Sequence, residues 1–135
     1  MTTTLSIIEE SICEYFDISY RQMFKNRRVR YWVSKRQMFF FLSRQYTKLS
    51  FRTIGAHAGR WRGKDFDHAT VLHGCNLIKD QLDIETDRKL RKTTEQIEGI
   101  TRLIREKTYQ APGLILTDIN LLGMSEKYTQ SFIAV

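Results

Sequence analysis

Up to its only proline, Pro112, the chain sets apolar residues three and four positions apart, and this rhythm restricts it to helices. Leu5, Ile8, Ile12 and Phe16 mark a first helix, with Thr3 or Thr4 as its cap. Asp17 is placed to cap a short second helix through Ser19 to Phe24, and a basic linker, Lys25 to Arg30, follows. Tyr31 to Thr47 contains no Gly or Pro and reads as a longer helix. Its apolar stripe is Val33, Met38, Phe41, Leu42 and Tyr46, with Lys35, Arg36 and Arg44 on the outer side. Ser50 caps a short helix through His57 that buries Phe51 or Ile54. Gly59 to Phe66 is a loop with two glycines and three cations. Asp67 opens a helix to about Leu82, with Val71, Leu72, Cys75 and Ile78 on its inner face. A last helix is expected from about Arg88 to Lys107, and Pro112-Gly113 ends helical territory. The expected fold class is therefore all-α, a bundle of about six helices over residues 1–107, with an extra C-terminal tail over 108–135.

Charge is segregated along this bundle. Residues 1–17 hold Glu9, Glu10, Glu14 and Asp17 and no cation. Residues 18–64 hold thirteen Lys and Arg and no acid, so this one stretch carries the whole net charge of +7. Cations without interspersed carboxylates produce a strong local positive potential. It suits nucleic acid, anionic lipid or an acidic protein; nucleic acid leads because most of these cations are Arg, whose planar fork fits phosphates and guanine edges. Other classes fall away. The longest apolar runs are too short for a membrane span, and the amino terminus does not read as a secretory signal. Cys13 and Cys75 stand alone, as expected of reduced thiols in the cytoplasm. His57, His68 and His73 lack zinc spacing, no cofactor motif is present, and Glu9-Glu10 reads as a solvated carboxylate pair, so an enzyme is not expected.

The helices Ser50–His57 and His68–Leu82 with their connecting loop have the order of a helix-turn-helix, whose second helix would face base edges. Spacing alone, with a loop long for a minimal turn, fits any two neighbouring helices of a bundle better; the basic run just before the pair reverses this in favour of DNA. The residues then carry a family resemblance. Ile54-Gly55, followed by Asp67-His68-Ala69-Thr70-Val71-Leu72-His73-Gly74-Cys75, resembles the signature of the DNA-binding domain of the bacterial replication initiator DnaA. Around it, SICEYFDISYRQMF resembles that family's first two helices, NRRVR with Arg36-Gln37 the approach to its long helix, and Ser50-Phe51-Arg52-Thr53-Ile54-Gly55 its turn into the motif.

That resemblance implies a TrpR-like helix-turn-helix domain binding double-stranded DNA at a short A/T-rich box. It places Arg28 in the minor groove and Asp67, His68, Ala69 and Thr70 at base edges in the major groove. Asp67 is equally a plain N-cap, His68 an exposed first-turn residue, and Thr70 a backbone-bonded hydroxyl. Phosphate contacts are expected from Arg30, Lys35, Arg36, Arg44, Ser50, Arg52 and His73, with His73 equally suited to packing. Departures from the family pattern are Ala69 for a Ser or Thr, Phe66 for the Arg before the Asp, and a connecting loop longer by about five residues. The cations of this loop, Arg60, Arg62 and Lys64, are expected to add phosphate contacts, with Trp61 as an anchor or a stacking group.

The chain contains no G-x-x-x-x-G-K-[ST] loop, so it is expected to act without the ATPase module, as a stand-alone box reader, nucleoid-associated, in replication control or transcription regulation. The rival readings are an adaptor that binds a protein through its basic face or apolar tail, and a nonspecific nucleic-acid binder. Leu90, Ile97 and Ile104, seven apart, suit either a homodimer seam or packing within a monomer.

Overall fold

The computed structural model describes residues 3–25, 28–85 and 91–110, and these form six helices. α1 spans Thr4–Phe16, α2 Tyr20–Phe24, α3 Arg30–Tyr46, α4 Phe51–Gly59, α5 His68–Glu85 and α6 Lys92–Tyr109. Thr3 caps α1 by accepting from the Ser6 N–H. Asp17 ends α1 in the left-handed region, at φ 54°, with its N–H bonded to the Cys13 and Glu14 carbonyls. It therefore does not cap α2. Ser19, in extended backbone, forms a capping box with Gln22, each side chain taking the other's backbone N–H.

α3 is the axis of the bundle and packs on α1, α2, α4 and α5. Every residue from Met38 to Ser43 is buried. α3 is open to solvent at Arg30, Tyr31 and Arg44, but Lys35 and Arg36 are buried, and this overturns their placement on an outer side, which only Arg44 keeps. Lys35 lies with its ammonium 4.0 Å from the centre of the Phe16 ring and 4.5 Å from that of Tyr31. Arg36 donates from Nη1 to the Met23 and Lys25 carbonyls, so its guanidinium closes the C-terminal end of α2. Phe24, Phe39, Phe40 and Phe66 form one aromatic core, with edge-on contacts of 5.1 Å between Phe24 and Phe39 and 5.5 Å between Phe40 and Phe66.

α6 lies along α1. Ile97, Ile100 and Ile104 are buried within the domain, and Lys107 reaches Glu10 and Glu14 at 3.6 and 3.4 Å. The heptad-spaced isoleucines are thus occupied inside the molecule rather than presented as a seam. Leu90, the expected helix start at Arg88 and the tail beyond 110 lie outside the described residues.

Candidate nucleic-acid interface

The second helix of the α4–α5 pair is positioned from its buried side. Ser50 caps α4 by accepting from the Thr53 N–H, and Ile54 is fully buried. Gly55 and Gly59 let the connecting loop lie flat against α4. The Phe66 N–H donates to the Gly55 carbonyl at 3.1 Å, and a methyl on Gly55 would overlap the Phe66 carbonyl oxygen. A methyl on Gly59 would fall 2.5 Å from the Lys64 carbonyl oxygen. The loop therefore delivers Asp67 to the start of α5, where its carbonyl accepts from the Thr70 and Val71 N–H groups. On α5, Val71, Cys75, Ile78 and Leu82 turn inward. Leu72 is 41% exposed, not on the inner face, because it lies about a hundred degrees round the helix from Val71.

This rotation leaves Asp67, His68, Ala69, Thr70 and His73 all exposed. Asp67 Oδ1 lies 3.0 Å from His68 Nδ1. With Nδ1 facing that carboxylate, the outward Nε2 accepts a hydrogen bond when the ring is neutral and donates one only when it is protonated.

Beside α5 runs a groove of about 560 Å³. It is lined by Lys25 and Arg28 from the linker, Arg36 and Gln37 from α3, Arg62 and Lys64 from the loop, and Thr70 and His73 from α5, together with the carboxylates of Asp65 and Asp67. Linker, loop and α5, far apart in sequence, thus converge on one basic surface. Lys25 and Gln37 belong to it, although the sequence pattern named neither as a DNA contact. Arg30, Arg44, Ser50 and Arg52 are also exposed. The Arg44 guanidinium donates to the Leu49 carbonyl at 2.8 Å and lies over the Phe51 ring, which holds it next to the α4 cap.

The loop cations have unlike roles. Arg60 is half-exposed, but its guanidinium is already paired within the molecule. It bonds the His57 carbonyl through Nε and reaches both Glu9 carboxylate oxygens at 3.3 Å. Trp61 anchors the loop by donating Nε1–H to Glu9 at 3.1 Å and packing on Tyr20. His57 Nε2 lies 3.1 Å from the same carboxylate. Glu9 is only 2% exposed, so the expected solvated carboxylate is a buried tie between α1 and the loop. Its spacing carried the signal: Glu9 lies four residues after Leu5 and three before Ile12, on the buried stripe of α1. Arg62 stacks on Phe66, and Lys64 is exposed on the groove wall. Burial, reinforced by the neighbouring Arg62, pulls the Arg36 guanidinium below its ordinary pKa; burial does the same to Arg62 and, with Lys92, to Lys35. Cys13 and Cys75 are pushed up to about 12, chiefly by burial.

Among the described residues no helix is long and apolar enough to cross a membrane. A family model described as the bacterial dnaA protein helix-turn-helix matches residues 5–78. The chromosomal replication initiator protein DnaA of Ehrlichia ruminantium is 35% identical over 104 residues, which is 77% of this chain and 20% of that protein. The protein of the same name from Lachnoclostridium phytofermentans is 36% identical over 94 residues, 70% of this chain and 19% of the relative. That from Treponema denticola is 32% identical over 105 residues, covering 78% and 20%. The chain thus spans about a fifth of the length of the curated relatives it matches. A match over more than half of the chain, on the same α4–α5 pair that carries the exposed helix tip and the basic groove, shows that the chain belongs to the bacterial DnaA helix-turn-helix family.

Proposed function

We propose that this chain binds double-stranded DNA with sequence selectivity at a short A/T-rich box of the DnaA type, in replication control or transcription regulation. One observation carries the reading: Asp67, His68, Ala69 and Thr70 are all exposed at the start of α5, beside a groove lined by Lys25, Arg28, Arg62 and Lys64. In this reading α5 enters the major groove and Arg28 the adjacent minor groove, where a narrow A/T-rich tract concentrates negative potential. Asp67 accepts from a cytosine or adenine amino group, His68 meets a purine edge, and the Ala69 methyl touches a thymine methyl. Arg30, Arg44, Ser50, Arg52, Lys64 and His73 take phosphates and set the register. Lys35 is withdrawn from this set by its burial, and Arg60 by its pairing with Glu9. Arg36 contributes charge from the groove floor. Such binding would hold the protein on the nucleoid.

Gel shift with a DnaA-type duplex, a scrambled duplex of equal length and a single-stranded RNA, at two salt concentrations, tests the proposal. Preference for the DnaA-type duplex at both salts supports it. Equal binding to all three, or no binding, overturns it.

A further inference from the structure

The geometry points to Phe66 as a positioning residue, whose ring holds the Arg62 guanidinium at the basic groove so that it takes a backbone phosphate of the bound duplex. This rests on the DNA-binding reading above and goes beyond it by dividing the loop between an anchor and a phosphate hand. The anchor is the Glu9 tie to Arg60 and Trp61. The hand is Arg62, whose guanidinium carbon lies 3.6 Å from the centre of the Phe66 ring. A planar cation at that distance is held by the ring face and by dispersion together. Nε donates to the Lys64 carbonyl at 2.7 Å and Nη2 to the Asp65 carbonyl at 2.9 Å. Two of the five guanidinium N–H donors are thus engaged, and Nη1 remains for an incoming anion. The platform is rigid, because Phe66 is 7% exposed and wedged against Phe40 and Phe24.

A further observation aims this hand at a phosphate. Arg36 lies near the same ring, 5.8 Å from its centre, so two guanidiniums are held close together in the groove, and the Asp65 carboxylate beside Arg62 offsets only one of the two charges. An anion at the groove relieves that repulsion.

The test is a double-mutant cycle read by fluorescence anisotropy on a DnaA-type duplex across a salt series. Arg62→Ala is expected to weaken binding about tenfold at low salt and to reduce the slope of log K against log salt by about one. Phe66→Leu keeps the apolar wedge and removes the ring face. It is expected to weaken binding in the Arg62 protein and to leave it unchanged when residue 62 is already Ala. Phe66→Tyr, which keeps the ring, is expected to bind like the parent. An unchanged affinity and salt slope in Arg62→Ala overturns the inference. So does a Phe66→Leu effect of equal size in both backgrounds, which marks a purely structural role. Thermal melts identify any variant that does not fold; if Phe66→Leu is one, Arg62→Ala and Phe66→Tyr decide. A parent protein that binds box and scrambled duplexes equally overturns the functional reading instead, while the Arg62 cycle still reports the phosphate contact.

Discussion

Glu9→Ala is expected to destabilise the domain by about 2–3 kcal/mol, because it removes one side of a buried charged tie. The carboxylate is 3% exposed and accepts from Trp61 Nε1 at 3.1 Å and Arg60 at 3.3 Å, with His57 Nε2 at 3.1 Å. Losing one partner of a well-buried pair typically costs about 3–5 kcal/mol. The cost is smaller here because the Arg60 side chain is 49% exposed and keeps its hydration, so that pair contributes about 0–1 kcal/mol. Trp61, 36% exposed, regains water at its indole N–H. His57, with a side chain 14% exposed and stacked on Phe39, loses the carboxylate but keeps Arg60 Nη2 at 2.8 Å from its Nε2, so the half-satisfied ring costs about 1 kcal/mol, the low end of the penalty for an unpaired polar group. The loss of apolar stem packing completes the figure. For a domain of this size it corresponds to a fall in Tm of about 10–15 °C. Urea unfolding should show a lower midpoint with an unchanged m-value, and Trp61 emission should move to the red as the loop leaves Tyr20. A change below about 0.5 kcal/mol, with emission unmoved, would refute the tie, since that is the scale of a neutral surface substitution.

Gly55→Ala forces its methyl into the Phe66 carbonyl and should cost about 1–3 kcal/mol by chemical denaturation, with weaker DNA binding as Asp67 shifts; an unchanged midpoint would contradict the close approach. Lys35→Met should leave DNA affinity and salt slope as they are, whereas Arg44→Ala should reduce the slope by about one; anisotropy titrations of the pair check the inward and outward placements. Cys13 and Cys75 should resist alkylation at pH 8 in the native protein and react in urea, read by mass spectrometry, because both are held neutral by burial. Each thiol is harder to ionise folded than unfolded. Their contribution to stability is therefore complete below about pH 9 and is lost as pH rises towards about 12, which pH-dependent melts can follow.

The helices were legible because their apolar spacing is strong, and Thr3 and Ser50 are the caps that the sequence suggests. The errors share a cause: a one-dimensional pattern shows which residues suit a buried stripe, but not how many faces of a helix are covered. Lys35 and Arg36 read as outward because α3 was given one wide outer side, yet its neighbours leave that side open only at Arg30, Tyr31 and Arg44. Leu72 was assigned inward by its apolarity, although Val71 and Cys75 set the phase of α5. Asp17 and Ser19 are both good caps, and only the positive φ at Asp17 separates ending one helix from starting the next. At the interface, the exposed tip of α5 was legible from the D-H-x-T-V-L-H pattern. The division of labour among Arg60, Arg62 and Lys64 was not, since it depends on Glu9, some fifty residues away, and on a ring at position 66.

The central claim is tested most directly by equilibrium anisotropy titration of one labelled DnaA-type duplex and its scrambled counterpart from 50 to 200 mM salt. About five phosphate contacts predict that both affinities fall about five-hundredfold over that range, in parallel. The preference for the intact box, about a hundredfold or more, persists because base-edge contacts do not release counterions. Identical curves for the two duplexes at every salt concentration would contradict the account.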